Sequence, residues 1–272
     1  MVLWILGSFL ILYLAISYFF LPRVWRRYEH HHGLSSTPKR TSTAQGIPGD
    51  PVNLALFGTE EALVAGLQRA GWLPADPLKL HSLLKMTESL LAHHPYPTAP
   101  VSDLYLFGRK QDLAFEKEVG PTLLKRHHAR FWKGEEKGRE VWWGAATFDE
   151  SYCFSRYTGQ ILHHISPDID GERDQLVGDL VHAGALGELS RAPGIGTTFG
   201  GRNGEGDWYF TDGEVFVGVL SEVGALPQVP REISPTMAYR MKSCVWKGIR
   251  HILQGLSHLR KTDQKGGKEE KI

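Results

Sequence analysis

Three groups of polar residues in this chain have the types and spacing to do chemistry. The first is Arg126-His127-His128-Ala129-Arg130, inside a stretch that alternates like a β-strand. Alternation would place His127, Ala129 and Phe131 on one face and Arg126, His128, Arg130 and Trp132 on the other. Two guanidiniums and an imidazole on one face suit an anionic ligand, because Arg offers a fixed fork of donors to phosphate or carboxylate. The plain alternative is a solvated sheet face. The second group is His163-His164, followed by Asp168, Asp170, Glu172 and Asp174. His163, His164 and Asp168 could ligate a divalent cation, although no HExxH or EF-hand spacing is present. Acids at this spacing also fit a helix start, with Asp170 as the cap.

The third group is the glycine-rich run from Gly194 to Gly204, which contains Arg202 and Asn203. Crowded backbone amides can cradle an anion, but the spacing matches neither the dinucleotide fingerprint nor the P-loop. A loop covering a site is the competing reading. No GxSxG elbow occurs. The two cysteines, Cys153 and Cys244, are far apart and form no CxxC pair, so a zinc ribbon or thioredoxin-type centre is not indicated. The sequence implies no cofactor.

These groups need a scaffold. Val52–Phe57 reads as a strand, and Thr59 as the cap of a helix that carries Leu63, Leu67 and Ala70 and ends at Gly71. A second helix carries Leu80, Leu83, Leu84 and Leu91. Strands are expected at 104–107, 112–117, 127–132, 141–148 and 161–165, with a hairpin turn at Gly134–Gly138. A helix from Asp170 to Ala183 follows, then strands at 186–191 and 214–220. The segment from Leu63, LVAGLQRAGWL, is echoed by LVGDLVHAGAL from Leu176, and a duplicated strand–helix unit would explain the echo. A helix from about Met237 to Leu259 carries Met241, Val245, Ile249, Ile252 and Leu256 at helical spacing, with basic residues between them. Such a helix covers a sheet or lies on an anionic membrane surface.

The N-terminus sets the context. Val2 to Leu21 contains no charged side chain and has the length of a transmembrane helix, about 20 residues. Trp4 lies near one end, with Tyr18 and Trp25 near the other. Arg23, Arg26 and Arg27 follow the run, where a signal peptide would carry its positive charge ahead of it. These flanks predict a single-pass anchor with the domain on the cytoplasmic side. The expected plan is an anchor with basic flank at 1–27, a linker at 28–48 and a soluble domain at 49–225. A basic amphipathic helix region at 226–261 and a disordered tail at 262–272 complete it. The fold class is α+β: an anchor helix plus a mixed α/β domain with a largely antiparallel sheet. A net charge of +1 over 272 residues gives no pull toward nucleic acid.

The run Tyr96–Lys117, with Asp103-Leu104-Tyr105-Leu106-Phe107-Gly108-Arg109 at its centre, resembles the bacterial LssY C-terminal-like domain family. So do Gly49-Asp50-Pro51-Val52-Asn53, Arg126–Trp132, Gly144–Asp149 and His163-His164-Ile165. The likeness continues through Asp168, Asp170, Glu172-Arg173-Asp174, Gly201–Gly204 and Thr211-Asp212-Gly213. It implies a bacterial inner-membrane protein whose partners are the bilayer, anionic lipid headgroups or another envelope protein. It supplies no catalytic residues.

Three functions are therefore expected to compete. A membrane-tethered binding or accessory domain would use Arg126, Arg130, Arg202 and Asn203, with His128, on an anionic ligand. A hydrolase of phosphorylated or lipid-linked substrates would use His128 or His164 as acid or base, Asp149 or Asp168 to orient it, and Arg130 or Arg202 to stabilise developing negative charge. A scaffold in a membrane assembly would need none of these groups.

Overall fold

The computed structural model describes residues 2–20, 40–44, 46–77, 79–92, 96–120, 125–154, 161–193, 201–203, 206–224, 230–232 and 243–257. The expected tail, the basic flank and most of the glycine-rich run lie outside them.

The N-terminal run begins as helix α1 (Val2–Ala15) and passes at Ile16 into a π-helical segment, Ile16–Phe20. The α-helix is 14 residues long, about 21 Å at 1.5 Å per residue. Among the described residues, no helix is long and apolar enough to cross a membrane. The expectation of one regular span from Val2 to Leu21 is corrected to that extent. Many apolar side chains of this segment are nonetheless exposed, among them Trp4, Phe9, Ile11, Phe19 and Phe20.

The domain is a mixed α+β structure, largely antiparallel. Its main sheet has nine strands. The path runs β15 (Arg231–Glu232), β11 (Leu186–Pro193), β14 (Glu214–Leu220), β3 (Leu54–Phe57), β9 (Arg139–Phe154), β8 (Arg126–Glu136), β7 (Leu113–Glu118) and β4 (Leu73–Pro74). Strand β10 (Ile161–Ile165) pairs with the far end of β9. Among the described strands of this sheet, only β14–β3 and β11–β15 pair in parallel. A small four-stranded sheet contains β1 (Arg40–Ser42), β2 (Pro48–Pro51), β5 (Tyr105–Leu106) and β6 (Arg109–Lys110). Two more strands, β12 (Gly201–Arg202) and β13 (Trp208–Tyr209), form a short hairpin. Strand β1 lies in the segment expected to be linker, so the folded domain reaches back at least to Arg40.

Two helices cover one face of the main sheet. Helix α2 (Glu60–Arg69) starts at Thr59, whose hydroxyl accepts from Ala62 N, and helix α4 spans Ile169–His182. Leu63 and Leu67 from α2 and Leu176 and Leu180 from α4 are fully buried with Leu54, Leu56, Phe115, Phe131 and Trp142 of the sheet. Each such side chain contributes about 1.5–3 kcal/mol. The sequence echo has a structural meaning here. Trp72 N donates to Leu67 O, and Ala185 N donates to Leu180 O, each at 2.9 Å. Gly71 and Gly184, with φ +82° and +63°, supply the left-handed residue that both endings require. Helix α3 (Leu80–Ala92) follows β4. The cap of α4 is Asp168, which accepts from Gly171 N, and not Asp170 as expected.

The small sheet covers part of the opposite face, where Val52, Leu104 and Leu106 pack on Trp132 and Ala145. The described part of the C-terminal helix, α5 (residues 243–257), docks at the start of α4.

Candidate functional site

Strand register builds the site. Glu116 of β7 stands opposite His128 of β8, and His128 stands opposite Thr147 of β9. Arg126 stands opposite Asp149 in the next row. Cross-strand partners share a face, so these five side chains form one patch. The alternation read from the sequence holds. His127, Ala129 and Phe131 turn to the helical face, while Arg126, His128, Arg130 and Trp132 turn the other way. The patch is not a solvated sheet face, because Glu116, Arg126, His128, Thr147 and Asp149 are all buried.

Arg126 Nη1 donates to Glu116 Oε2 at 2.9 Å, and both side chains are fully buried. His128 Nδ1 lies 3.0 Å from Asp149 Oδ2, and its Nε2 lies 3.6 Å from Glu116 Oε2. Neither His128 contact has hydrogen-bond alignment, so both ring nitrogens face carboxylate oxygens without a satisfied bond. His163 of β10 completes the group: its Nδ1 is 3.6 Å from Asp149 Oδ2, and its Nε2 is 3.4 Å from Arg126 Nη2. The two imidazoles meet edge to face, 6.1 Å between centroids. The His163 side chain is 22% exposed, against 2% for His128 and 4% for Asp149. It is the wet edge of the cluster.

Burial pushes the Glu116 carboxyl up, against the pull of His128 and Arg126. Burial also acts to raise Asp149, but His128, then His163 and Arg126, outweigh it and hold the group well below the usual carboxylate range. Burial, with the positive charge of His128, Arg126 and Arg130, pushes His163 down to about 4 despite Asp149. His163 is therefore a neutral imidazole at neutral pH.

Several polar atoms in this patch have no hydrogen-bond partner among the described residues: Glu116 Oε1, Arg126 Nε, both His128 ring nitrogens, Thr147 Oγ1 and Asp149 Oδ2. Each unmet group costs about 1–3 kcal/mol, and such atoms are rare in folded proteins.

The remaining candidates sit elsewhere. Arg130 donates to Asp50 Oδ2 at 3.0 Å and to Ser102 O at 3.2 Å, tying the small sheet to the main one. Arg202 is exposed and donates to Gly206 O at 2.7 Å, while the buried Asn203 Oδ1 accepts from Asp207 N at 2.8 Å. Both shape the turn between β12 and β13. Arg126, Arg130 and Arg202 therefore do not form one anion site. Arg126 and Arg130 are each paired with a buried carboxylate, and Arg202 belongs to a separate hairpin. His164 points away from His163 and pairs with Asp207 at 2.5 Å. Asp168 is engaged by Arg250 and Gln254. His163, His164 and Asp168 thus do not converge, and among the described residues no group of His, Cys, Asp and Glu is placed to hold a metal. His127 reaches α4 through Glu172 at 2.8 Å and is structural.

Sequence reasoning missed Glu116 and Thr147 as members of the patch. Only their register opposite His128 identifies them. In a comparison with known families, the model described as "LssY C-terminus" matches residues 34–215. Comparison with curated proteins and with solved structures finds no match.

Proposed function

The chain belongs to the LssY C-terminus family, and on that premise we propose that it is a membrane-tethered domain doing acid–base chemistry of the hydrolase class at His128, Asp149 and His163. The observation that carries this is the gathering of unmet buried polar atoms around Asp149, with one neutral imidazole at its wet edge. Asp149 orients the His163 ring from the Nδ1 side. Nε2 then takes the proton of an attacking water and returns it to the leaving group, with Arg126 beside the developing negative charge. Around this point both guanidiniums are already engaged, Arg126 by Glu116 and Arg130 by Asp50. That pairing favours an uncharged, lipid-linked ester over a phosphate monoester.

The tether rests on the run Val2–Phe20, most of whose described apolar side chains are exposed. Together with the arginines at 23, 26 and 27, it supports a bacterial inner membrane with the domain on the cytoplasmic side. A second reading, an accessory or scaffold domain, is favoured by the near-complete burial of His128 and Asp149.

The test uses the full chain in detergent with p-nitrophenyl acetate, p-nitrophenyl butyrate and p-nitrophenyl phosphate. Turnover of an acyl ester is expected, and His163→Gln should lower kcat/KM by about 10²–10⁴-fold without lowering Tm at neutral pH. No turnover of any probe, or turnover indifferent to His163→Gln, would assign the accessory role.

A further inference from the structure

Helix α5 docks by its polar side. Trp246 Nε1 donates to Asp170 Oδ2 at 3.0 Å. Arg250 grips Asp168 through Nε and Nη2, and Gln254 Nε2 donates to Asp168 Oδ2 at 2.7 Å. These residues recur every fourth position and hold one face against the start of α4. The other face carries Val245, Ile252 and Leu256, which are 63%, 65% and 49% exposed. A helix on a water-soluble surface normally does the reverse, burying its aliphatic stripe and exposing its charges. At 100° per residue the exposed arc has an aliphatic half, Val245, Ile252 and Leu256, and a basic half, Lys247 and His251. Gly248 and Gly255 lie between the halves and are exposed as well.

We propose that this outward face of α5 lies in the interfacial layer of the bilayer to which the N-terminal segment tethers the chain. Val245, Ile252 and Leu256 would face acyl chains, and Lys247 would face lipid phosphate. The inference rests on the tether proposed above. The division of the arc matches the division of a bilayer surface, apolar below and anionic at the headgroups. The consequence is that α5 and the acid cluster at the start of α4 hold the domain at a fixed attitude to the membrane.

The test places a fluorophore on Ile252→Cys in a Cys153→Ser, Cys244→Ser background of the full chain. The protein is reconstituted into phosphatidylcholine vesicles with and without phosphatidylserine. A control label sits on Glu136→Cys in the exposed β8–β9 hairpin. A lipid-borne nitroxide should quench the Ile252→Cys label several-fold more than the control, more so with phosphatidylserine. Adding Val245→Glu and Leu256→Glu should abolish the difference while the protein still floats with the vesicles. If the protein floats but the label is quenched only by aqueous iodide, the inference is overturned and the tether stands. If the protein fails to float, tether and inference fall together. If shielding grows with the protein-to-lipid ratio, a second copy covers the face and the inference is overturned.

Discussion

Arg173, at the start of α4, and Arg126, on the polar face of the sheet, are both wholly buried, yet their surroundings differ. Arg173 forms a two-pronged pair with Asp212 at 2.8 and 3.0 Å, donates to Glu214 O at 3.1 Å, and donates from Nε to Asp174 at 3.0 Å. Asp170 beside it accepts from Thr211 Oγ1, Asp212 N and Trp246 Nε1. Every strand, turn and helix end that meets there is bonded to its neighbour. Arg126, by contrast, has a bonded Nη1, a long contact at Nη2 and an unmet Nε, and it sits among other unmet atoms. A satisfied buried network positions the fold. A half-satisfied one weakens it, and the persistence of such a network points to chemistry.

The largest effect is expected at Arg173→Met, which strands Asp170 and Asp212 in the interior. It should cost about 3–5 kcal/mol in denaturant melts.

Next is pH. His163 titrates near 4 in the folded chain and near 6.5 when unfolded, so the unfolded chain binds the extra proton between these values. This group therefore removes up to about 3 kcal/mol as pH falls through that window, and nothing above it. Asp170 has the opposite sign. Burial and the charge of Asp212 outweigh Arg173 and push it up to about 6, so the folded chain takes the proton first and gains stability as pH falls from 6 toward 3.8. Glu116 and Asp50, also raised by burial, act in the same direction as Asp170. Between pH 6 and 4 the loss at His163 offsets part of these gains. His163→Gln should therefore gain more stability on acidification than the parent, as read from urea midpoints along a pH series.

A smaller loss, about 1–2 kcal/mol, is expected for Trp246→Phe, which removes one donor from Asp170. Its tryptophan-emission change on denaturation should also be smaller than in the parent.

What the sequence made legible was local. The alternation in Arg126–Trp132 assigns its side chains to the correct faces, and the two Ala-Gly helix endings share the same hydrogen bonds. The apolar N-terminal run is equally plain in the sequence. Its change from α- to π-helix at Ile16 is not signalled by any proline or glycine there. What stayed hidden was non-local. Glu116 joins His128 only through the register of β7 on β8. His163 and His164 look like one pair, but they are divided by the pleat, one meeting Asp149 and the other Asp207. The amphipathic spacing of α5 is visible, but which side docks is decided by the acids of α4, distant in sequence.

Two threonines, one in each buried network, separate satisfied from unsatisfied burial. Thr211 Oγ1 donates to Asp170 Oδ1 at 2.8 Å and accepts from Gly213 N at 3.1 Å. Thr147 Oγ1 is just as buried and has no partner among the described residues. The same change, Thr→Val, should therefore act oppositely at the two sites. Urea midpoints should fall for Thr211→Val by the equivalent of about 1–3 kcal/mol, and should hold or rise by about 1 kcal/mol for Thr147→Val. A loss at Thr147→Val as large as that at Thr211→Val would show the sheet-face cluster to be an ordinary satisfied core, and would contradict the account.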